Sequence, residues 1–179
     1  MVISKRAVFL DRDGVVNKAC VTNGKPFPPI NLEEVEVLPG VKEAVELLQA
    51  HKFAIIVVTN QPDVANKKTT LENVYRINEY LKSETGIEEF YICPHNDLDF
   101  CECRKPKPGL LKSAAEKNGI NLEKSFMVGD RWRDIEAGQK AGCKTFFIDN
   151  KYEEKSPKPP YIKVSSVLEA THFILEEMS

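Results

Sequence analysis

The chain has 179 residues, of which 42% are hydrophobic and 29% are charged, a composition typical of a folded globular protein. Its 25 basic and 27 acidic side chains give a net charge of −2, which disfavours general attraction to nucleic acid or anionic membranes. The first residues lack the long apolar run of a secretion signal, and no apolar stretch is long enough to span a bilayer. We therefore expect a cytoplasmic, monomeric protein with one domain over residues 1–179.

Short apolar runs alternate with amphipathic stretches along the chain. The apolar runs predict strands at residues 7–10, 54–59, 90–92, 126–128, 145–148 and 162–164. The 3.6-residue spacing of apolar side chains predicts helices at residues 41–51, 71–83, 110–118, 134–141 and 167–178. Strands that alternate with helices form a parallel sheet covered on both faces. The predicted fold is therefore a doubly wound α/β fold with a mostly parallel, Rossmann-like sheet.

Residues 15–38 interrupt this alternation with a polar, proline-bearing segment. We expect a loop there that forms one wall of a binding site. Neither this segment nor the stretch between the second and third strands is long enough for a separate cap domain. Substrate specificity would then depend on loops around an open site.

Polar side chains lie at the ends of four of the predicted strands or in the loops that follow them. They are, in chain order, Asp11 and Asp13, Thr59 and Asn60, Arg104 and Lys105, and Asp130. Open α/β sheets bind ligands at the carboxyl ends of their strands, so we expect these side chains to converge on one crevice. Hydrolysis of a phosphate ester needs such a set: a carboxylate nucleophile, a second acid, a metal, and donors for the phosphoryl oxygens.

These motifs, with Asp134 four residues after Asp130, resemble in order the motif set of the haloacid dehalogenase superfamily of phosphatases. The resemblance implies that Asp11 attacks phosphorus and forms an aspartyl phosphate. It implies that Asp13 protonates the leaving alkoxide and then deprotonates the water that hydrolyses the intermediate.

The same resemblance implies a catalytic Mg²⁺ ion. Its ligands would be the carboxylates of Asp11 and Asp130 and the backbone carbonyl of Asp13, and Asp134 would orient a bound water. The transferring phosphoryl group would be bound by Thr59, the backbone of Asn60 and the ammonium of Lys105.

A second metal site is predicted from the spacing C-x-H-x5-C-x-C, formed by Cys93, His95, Cys101 and Cys103. Three thiolates and one imidazole suit tetrahedral Zn²⁺ in a closed structural site, here a loop over residues 93–103. A thiol cluster of this kind also favours a reducing compartment. Because Arg104 and Lys105 follow directly, zinc would act on the placement of the residues that bind phosphate.

The stretches FLDRDGVVN, VTNQ, CPH, CRKPKPG and VGDR resemble the cap-less histidinol-phosphate and heptose-bisphosphate phosphatases of that superfamily. KPKPGLL and FLDRDGVVN favour the heptose members. The stretch TNQPDVANKK departs from their TNQSG, and the five-residue gap in the cysteine cluster resembles histidinol-phosphate phosphatases. The predicted activity is removal of one phosphate from a D-glycero-D-manno-heptose 1,7-bisphosphate.

A bisphosphate substrate requires a second anion site, for which Arg104 is the first candidate because its guanidinium can bind a phosphate bidentately. Further candidates are Lys67, Lys68, Arg131 and Arg133. Histidinol phosphate is the alternative substrate, and its cationic groups would be met by Asp97, Asp99 and Glu102. A non-catalytic zinc-bearing module that binds phosphorylated ligands and a nucleic-acid 3′-phosphatase are the remaining alternatives.

Overall fold

The computed structural model describes residues 5–177. The elements are, in chain order, β1 (Ala7–Leu10), β2 (Cys20–Thr22), β3 (Lys25–Phe27), α1 (Val41–Ala50), β4 (Ala54–Asn60), α2 (Leu71–Thr85), β5 (Glu89–Cys93), α3 (Gly109–Asn118), β6 (Phe126–Gly129), α4 (Trp132–Ala141), β7 (Lys144–Ile148), β8 (Ile162–Val164) and α5 (Val167–Glu176). Within residues 5–177 no helix combines the length and the apolarity needed to cross a membrane.

Six strands form one sheet with the order β5-β4-β1-β6-β7-β8, and every pairing in it is parallel. The predicted α/β fold is therefore confirmed. The helix predicted from residue 134 begins two residues earlier, at Trp132, and the helix predicted to end at residue 83 continues to Thr85. The predicted end of the last helix at residue 178 lies outside the described residues.

Side chains of the central strand β1 alternate between two apolar layers. Val8 and Leu10 pack in the layer that α1, α2 and α5 cover, whereas Ala7 and Phe9 pack in the layer that α3 and α4 cover. This alternation follows from the two-residue repeat of a strand. Because both faces are buried, the strand is apolar throughout, and the polar functional groups are confined to its carboxyl end.

The segment over residues 15–38 differs from the expected loop. Val15 and Val16 are buried in the core, and β2 and β3 form an antiparallel hairpin with Cys20 opposite Phe27. Its turn is Asn23-Gly24, and both residues have positive φ angles (50° and 71°). An Asn-Gly pair at positive φ is a strong local signal for a two-residue hairpin turn. The hairpin was therefore readable from the sequence.

Candidate active site

A buried ammonium group on the loop between β5 and α3 contacts two carboxylates, one directly after β1 and the other on α4. Lys105 Nζ lies 2.7 Å from Asp11 Oδ1 and 2.7 Å from Asp134 Oδ1, and it also donates a hydrogen bond of 2.7 Å to the carbonyl of Val58. Lys105 is only 1% exposed. The three contacts saturate the donors of the ammonium and fix its position.

A third carboxylate, that of Asp130, completes the group. Asp11, Asp130 and Asp134 each place one carboxylate oxygen within 4.8 Å of the others. Asp130 Oδ1 is buried and has no hydrogen-bond partner within residues 5–177. Because one ammonium faces three carboxylates, the group has an excess of negative charge. Such a set of oxygens, one of them unpartnered, fits a divalent cation.

The pKa shifts in this group indicate the same need for positive charge. Burial and the neighbouring Asp134 raise the pKa of Asp11 to about 6, against the opposing effect of Lys105. Burial, followed by the charges of Asp11 and Asp134, raises the pKa of Asp130 well above its usual value. Burial alone would lower the pKa of Lys105, but Asp11 and Asp134 outweigh it and raise that pKa. A bound cation would keep the carboxylates ionised.

Asp13 is oriented by three donors that the sequence analysis did not single out. Its Oδ1 accepts hydrogen bonds from Arg12 Nε at 3.1 Å and from Asn17 Nδ2 at 3.0 Å, and its Oδ2 accepts one from Gln61 Nε2 at 2.8 Å. Arg12 is fully buried and also donates to Asn78 of α2 at 3.0 Å. Arg12 lies next to Asp13 in the motif DRDG, and Gln61 lies two residues after Thr59 in the motif VTNQ. This proximity in sequence was the signal that could have identified them as site residues.

Two glycines allow the carboxylates to approach each other. Gly14 has a φ of +92°, and a Cβ atom there would lie 1.9 Å from Asp130 Oδ2. A Cβ atom on Gly129 would lie 2.1 Å from the Cβ of Asp134. Any side chain at either position would therefore displace a carboxylate of the group.

The end of β4 holds the backbone of Lys105. Asn60 Oδ1 accepts a hydrogen bond from the Lys105 amide, and Asn60 Nδ2 donates to the Lys105 carbonyl, each at 3.1 Å. Thr59 is buried, and its Oγ1 accepts a hydrogen bond of 2.9 Å from Gln61 Nε2. Asn60 therefore positions Lys105 through its side chain, a contact that the sequence analysis did not anticipate.

A cavity of about 260 Å³ opens above the carboxylates and has Asp11, Asp13 and Lys105 in its lining. One wall is the hairpin, which contributes residues 25–28, as expected of the segment over residues 15–38. Phe27 is 40% exposed and adds an apolar surface to this wall. The site is thus polar at its base, and its rim has both polar and apolar side chains.

All three arginines that were predicted to bind an anion line this cavity, and each has an acidic partner. Arg104 Nε donates to Asp97 Oδ1 at 2.8 Å, and Arg133 Nη1 donates to the same oxygen at 3.1 Å. Arg131 forms an ion pair of 2.6 Å with Glu154. One carboxylate shared by two guanidinium groups leaves a local excess of positive charge at the Arg104–Arg133 pair.

The lysines around the cavity are less constrained. Lys68 lines it and lies 3.9 Å from Asp63 Oδ1, whereas Lys67 is not part of the lining. Lys25 of the hairpin lines the cavity, is exposed, and forms no ion pair within the described part of the chain. Lys25 was not identified from the sequence because a lone lysine on an extended segment resembles any solvated surface charge.

The four residues of the predicted zinc loop lie together: Cys93 ends β5, and the other three follow it. The Sγ atom of Cys93 lies 2.9 Å from that of Cys103 and 3.6 Å from that of Cys101, and His95 Nδ1 lies 3.3 Å from Cys103 Sγ. Ligands of tetrahedral zinc at about 2.3 Å would be about 3.8 Å apart. The cluster is therefore slightly tighter than a zinc-bound one and is compatible with such a site.

The thiols of this cluster differ in their pKa. Burial acts to raise the pKa of Cys101, but hydrogen bonds, the first from the backbone of Arg104, outweigh it and lower that pKa to about 7. Burial raises the pKa of Cys93. A metal ion would therefore have to displace a proton from Cys93 in order to bind there.

Fold and site together define a HAD-like hydrolase, and comparison with known proteins agrees. Residues 102–170 match the family model described as HAD-hydrolase-like. The crystal structure of D,D-heptose 1,7-bisphosphate phosphatase from B. bronchiseptica, complexed with magnesium and phosphate, has the same fold: the TM-score is 0.82 at 24% identity, over 96% of this chain and 99% of that one. A putative HAD-like phosphatase from Mesorhizobium loti aligns with a TM-score of 0.75 at 26% identity, over 98% of this chain and 88% of that one.

Curated relatives identify the family more closely. D-glycero-beta-D-manno-heptose-1,7-bisphosphate 7-phosphatase of Helicobacter pylori J99 is 32% identical over 88% of this chain and 90% of the relative. The D-glycero-alpha-D-manno-heptose-1,7-bisphosphate 7-phosphatase of Campylobacter jejuni is 31% identical over 96% of this chain and 97% of the relative. This chain belongs to the family of HAD-like phosphatases that includes these enzymes. The predicted resemblance to the haloacid dehalogenase superfamily is thereby confirmed.

Proposed function

We propose that the chain is a magnesium-dependent phosphomonoesterase that removes the 7-phosphate from a D-glycero-D-manno-heptose 1,7-bisphosphate. One observation carries most of the proposal: the buried ammonium of Lys105 joins Asp11 and Asp134 beside the unpartnered Oδ1 of Asp130. The names of the curated relatives support the choice of substrate.

In this proposal Asp11 is the nucleophile. A carboxylate oxygen of Asp11 forms a bond to phosphorus while the bond to the sugar oxygen breaks, and Asp13 gives its proton to the leaving alkoxide. Asp13 then takes a proton from water, whose oxygen attacks the phosphorus of the aspartyl phosphate and releases inorganic phosphate and Asp11. The three donors around Asp13 hold its carboxylate in place between the two steps.

The oxygen ligands fit Mg²⁺ better than a softer metal. Asp11, Asp130 and the backbone carbonyl of Asp13 would hold the ion, and Asp134 would orient a water bound to it. When bound, magnesium neutralises charge on the phosphoryl group. Thr59, the backbone of Asn60 and the ammonium of Lys105 would bind the same group, and Lys105 would exchange one of its three present contacts for a phosphoryl oxygen.

The cluster of Cys93, His95, Cys101 and Cys103 would bind Zn²⁺ as a structural ion. Such reduced thiols fit the cytoplasm, which is our proposed location. We further propose that residues 1–179 form one cap-less phosphatase domain that acts as a monomer.

The phosphate that stays on the product needs a second anion site at the rim of the cavity. Lys25 is our first choice among the lysines because it can meet an anion without breaking an ion pair. Arg104 remains a candidate because it shares Asp97 with Arg133, so one of the two guanidinium groups keeps an unbalanced charge. Both side chains line the same cavity as Asp11.

The acids proposed for histidinol phosphate are already engaged. Asp97 pairs with Arg104, Glu102 pairs with Lys107 at 2.8 Å, and Asp99 accepts a hydrogen bond of 2.8 Å from the Asn96 amide. None of the three lines the cavity. The cationic groups of histidinol phosphate would therefore face a cationic rim.

The test is a comparison of kcat/KM for both anomers of the heptose 1,7-bisphosphate, the corresponding 1- and 7-monophosphates and histidinol phosphate. We expect a bisphosphate to be the best substrate. Arg104→Ala and Lys25→Ala should each reduce the preference for bisphosphate over 7-monophosphate, by about 1.5–3 kcal/mol for a charge-assisted contact. Lys18→Ala is the matched control, since Lys18 is exposed on the same segment and pairs with Glu36 outside the cavity. A higher kcat/KM for histidinol phosphate would overturn the heptose assignment.

A further inference from the structure

The two oxygens of the Asp130 carboxylate have different surroundings. Oδ2 accepts a hydrogen bond of 2.7 Å from the hydroxyl of Tyr152 and one of 3.1 Å from Asn150 Nδ2. Oδ1 is buried without a hydrogen-bond partner in the described part of the chain, and Asp130 belongs to the three-carboxylate group. One oxygen is thus anchored and the other is left for a cation.

Tyr152 and Asn150 belong to a segment after β7, residues 149–154, which we call the brace. Asn150 Nδ2 also lies 3.0 Å from the carbonyl of Gly14 and 3.1 Å from the Tyr152 hydroxyl. The brace therefore contacts both Asp130 and the loop that carries Asp11 and Asp13.

The brace is itself held in place on two sides. The amide of Glu153 donates a hydrogen bond of 2.8 Å to the carbonyl of Gly24 in the hairpin turn. The carboxylate of Glu154 accepts hydrogen bonds of 3.0 Å and 2.6 Å from Arg131 Nε and Nη2. These contacts limit the movement of Tyr152 relative to Asp130. Donors that orient a metal-binding carboxylate in this way contribute to metal affinity.

We propose that Tyr152 and Asn150 are positioning residues that hold Asp130 with Oδ1 directed to the magnesium ion. The inference rests on the proposed function, because it requires the magnesium site. It assigns a role in cation binding to a segment outside every motif that the sequence analysis identified. Neither residue takes part in the chemical steps, so their removal should weaken magnesium binding and leave turnover at saturating magnesium nearly intact.

The experiment is calorimetric titration of Mg²⁺ into the full chain, combined with activity as a function of magnesium concentration. Tyr152→Phe should raise the Kd for magnesium by about tenfold to hundredfold, while kcat at saturating magnesium stays within about twofold and KM for substrate is unchanged. Asn150→Ser should act in the same direction and provides a second variant. Tyr161→Phe is the matched control: Tyr161 lines the same side cavity as Tyr152, and its ring packs against Phe147.

Each outcome is decisive. Folded Tyr152→Phe and Asn150→Ser proteins that bind magnesium with the wild-type Kd would overturn the inference and leave the proposed function standing. An equal loss of affinity in Tyr161→Phe would assign the effect to general packing and would also overturn it. If the wild-type protein does not bind magnesium, the proposed magnesium site itself is wrong.

Discussion

Removal of the buried ammonium of Lys105 gives a direct test of the electrostatics of the site. In Lys105→Met the carboxylates of Asp11 and Asp134 lose a partner at 2.7 Å, and the carbonyl of Val58 loses its donor. Breaking a buried ion pair costs about 3–5 kcal/mol. The pKa of Asp11 is already about 6 with Lys105 present, so the variant can relieve part of this cost by protonating Asp11. We expect a loss near the lower limit, about 3 kcal/mol at neutral pH.

The pH dependence of that loss follows from the same reasoning. Without Lys105 the pKa of Asp11 rises above its wild-type value of about 6, so just above pH 6 the native variant binds a proton at Asp11 that the native wild type does not bind. The difference in stability should therefore shrink as the pH falls, by up to about 1.4 kcal/mol per pH unit. Urea unfolding followed by circular dichroism measures this difference in stability at each pH. The buffer contains no magnesium, and it contains no chelator, because a chelator would remove any bound zinc.

Lys140→Met is the control, because Lys140 is 49% exposed and pairs with Glu136 one turn away on α4. We expect it to cost about 0.3–0.5 kcal/mol at every pH. The reasoning is refuted if Lys105→Met is no more destabilising than Lys140→Met, or if its cost grows as the pH falls.

Three further predictions concern the proposed nucleophile and the two proposed metal ions. Asp11→Asn should fold normally and lose activity by several orders of magnitude, because an amide cannot attack phosphorus; substantial turnover in a clean preparation contradicts the mechanism. Purified protein should contain about one zinc per chain by elemental analysis, and Cys101→Ser should lower both this content and kcat. Because the pKa values of Asp11 and Asp130 are raised in the native state, the magnesium-free protein should become less stable as the pH rises through about 4–6. Protons compete with magnesium for these carboxylates, so magnesium should raise Tm more at about pH 7.5 than at about pH 5. An equal rise at both pH values would contradict this last expectation.

The fold and the centre of the site were readable from the sequence because their signals are local. Apolar runs place Asp11 and Asp130 at the ends of neighbouring strands, and parallel pairing then brings these ends to one edge. The contacts of Tyr152 with Asp130 and of Arg12 with Asn78 join segments 22 and 66 positions apart. No periodicity or turn signal encodes such contacts, which depend on how loops pack.

The surroundings of Arg104 show the same limit in another form. The ability of Arg104 to bind a phosphate bidentately follows from its being an arginine. Its ion pair with Asp97 could not be predicted from the residue type. Arg133 of α4 contacts the same carboxylate from 36 positions further along the chain. The sequence therefore predicted the cationic rim of the cavity without the carboxylate that partly neutralises it.

The cysteine cluster and the carboxylates of the candidate site are joined through short backbone links. The amide of Gln61 donates a hydrogen bond of 2.8 Å to the carbonyl of Cys93, and the Gln61 side chain donates to Asp13. A second link runs along the chain: Cys103 is two residues from Lys105, and hydrogen bonds from the Asn60 side chain fix the backbone of Lys105. Loss of the proposed zinc ion would therefore disturb both Asp13, the proposed acid–base residue, and the ammonium that contacts Asp11, the proposed nucleophile. For this reason the loss of zinc should reduce kcat, although none of the four residues of the cysteine cluster lines the cavity above Asp11.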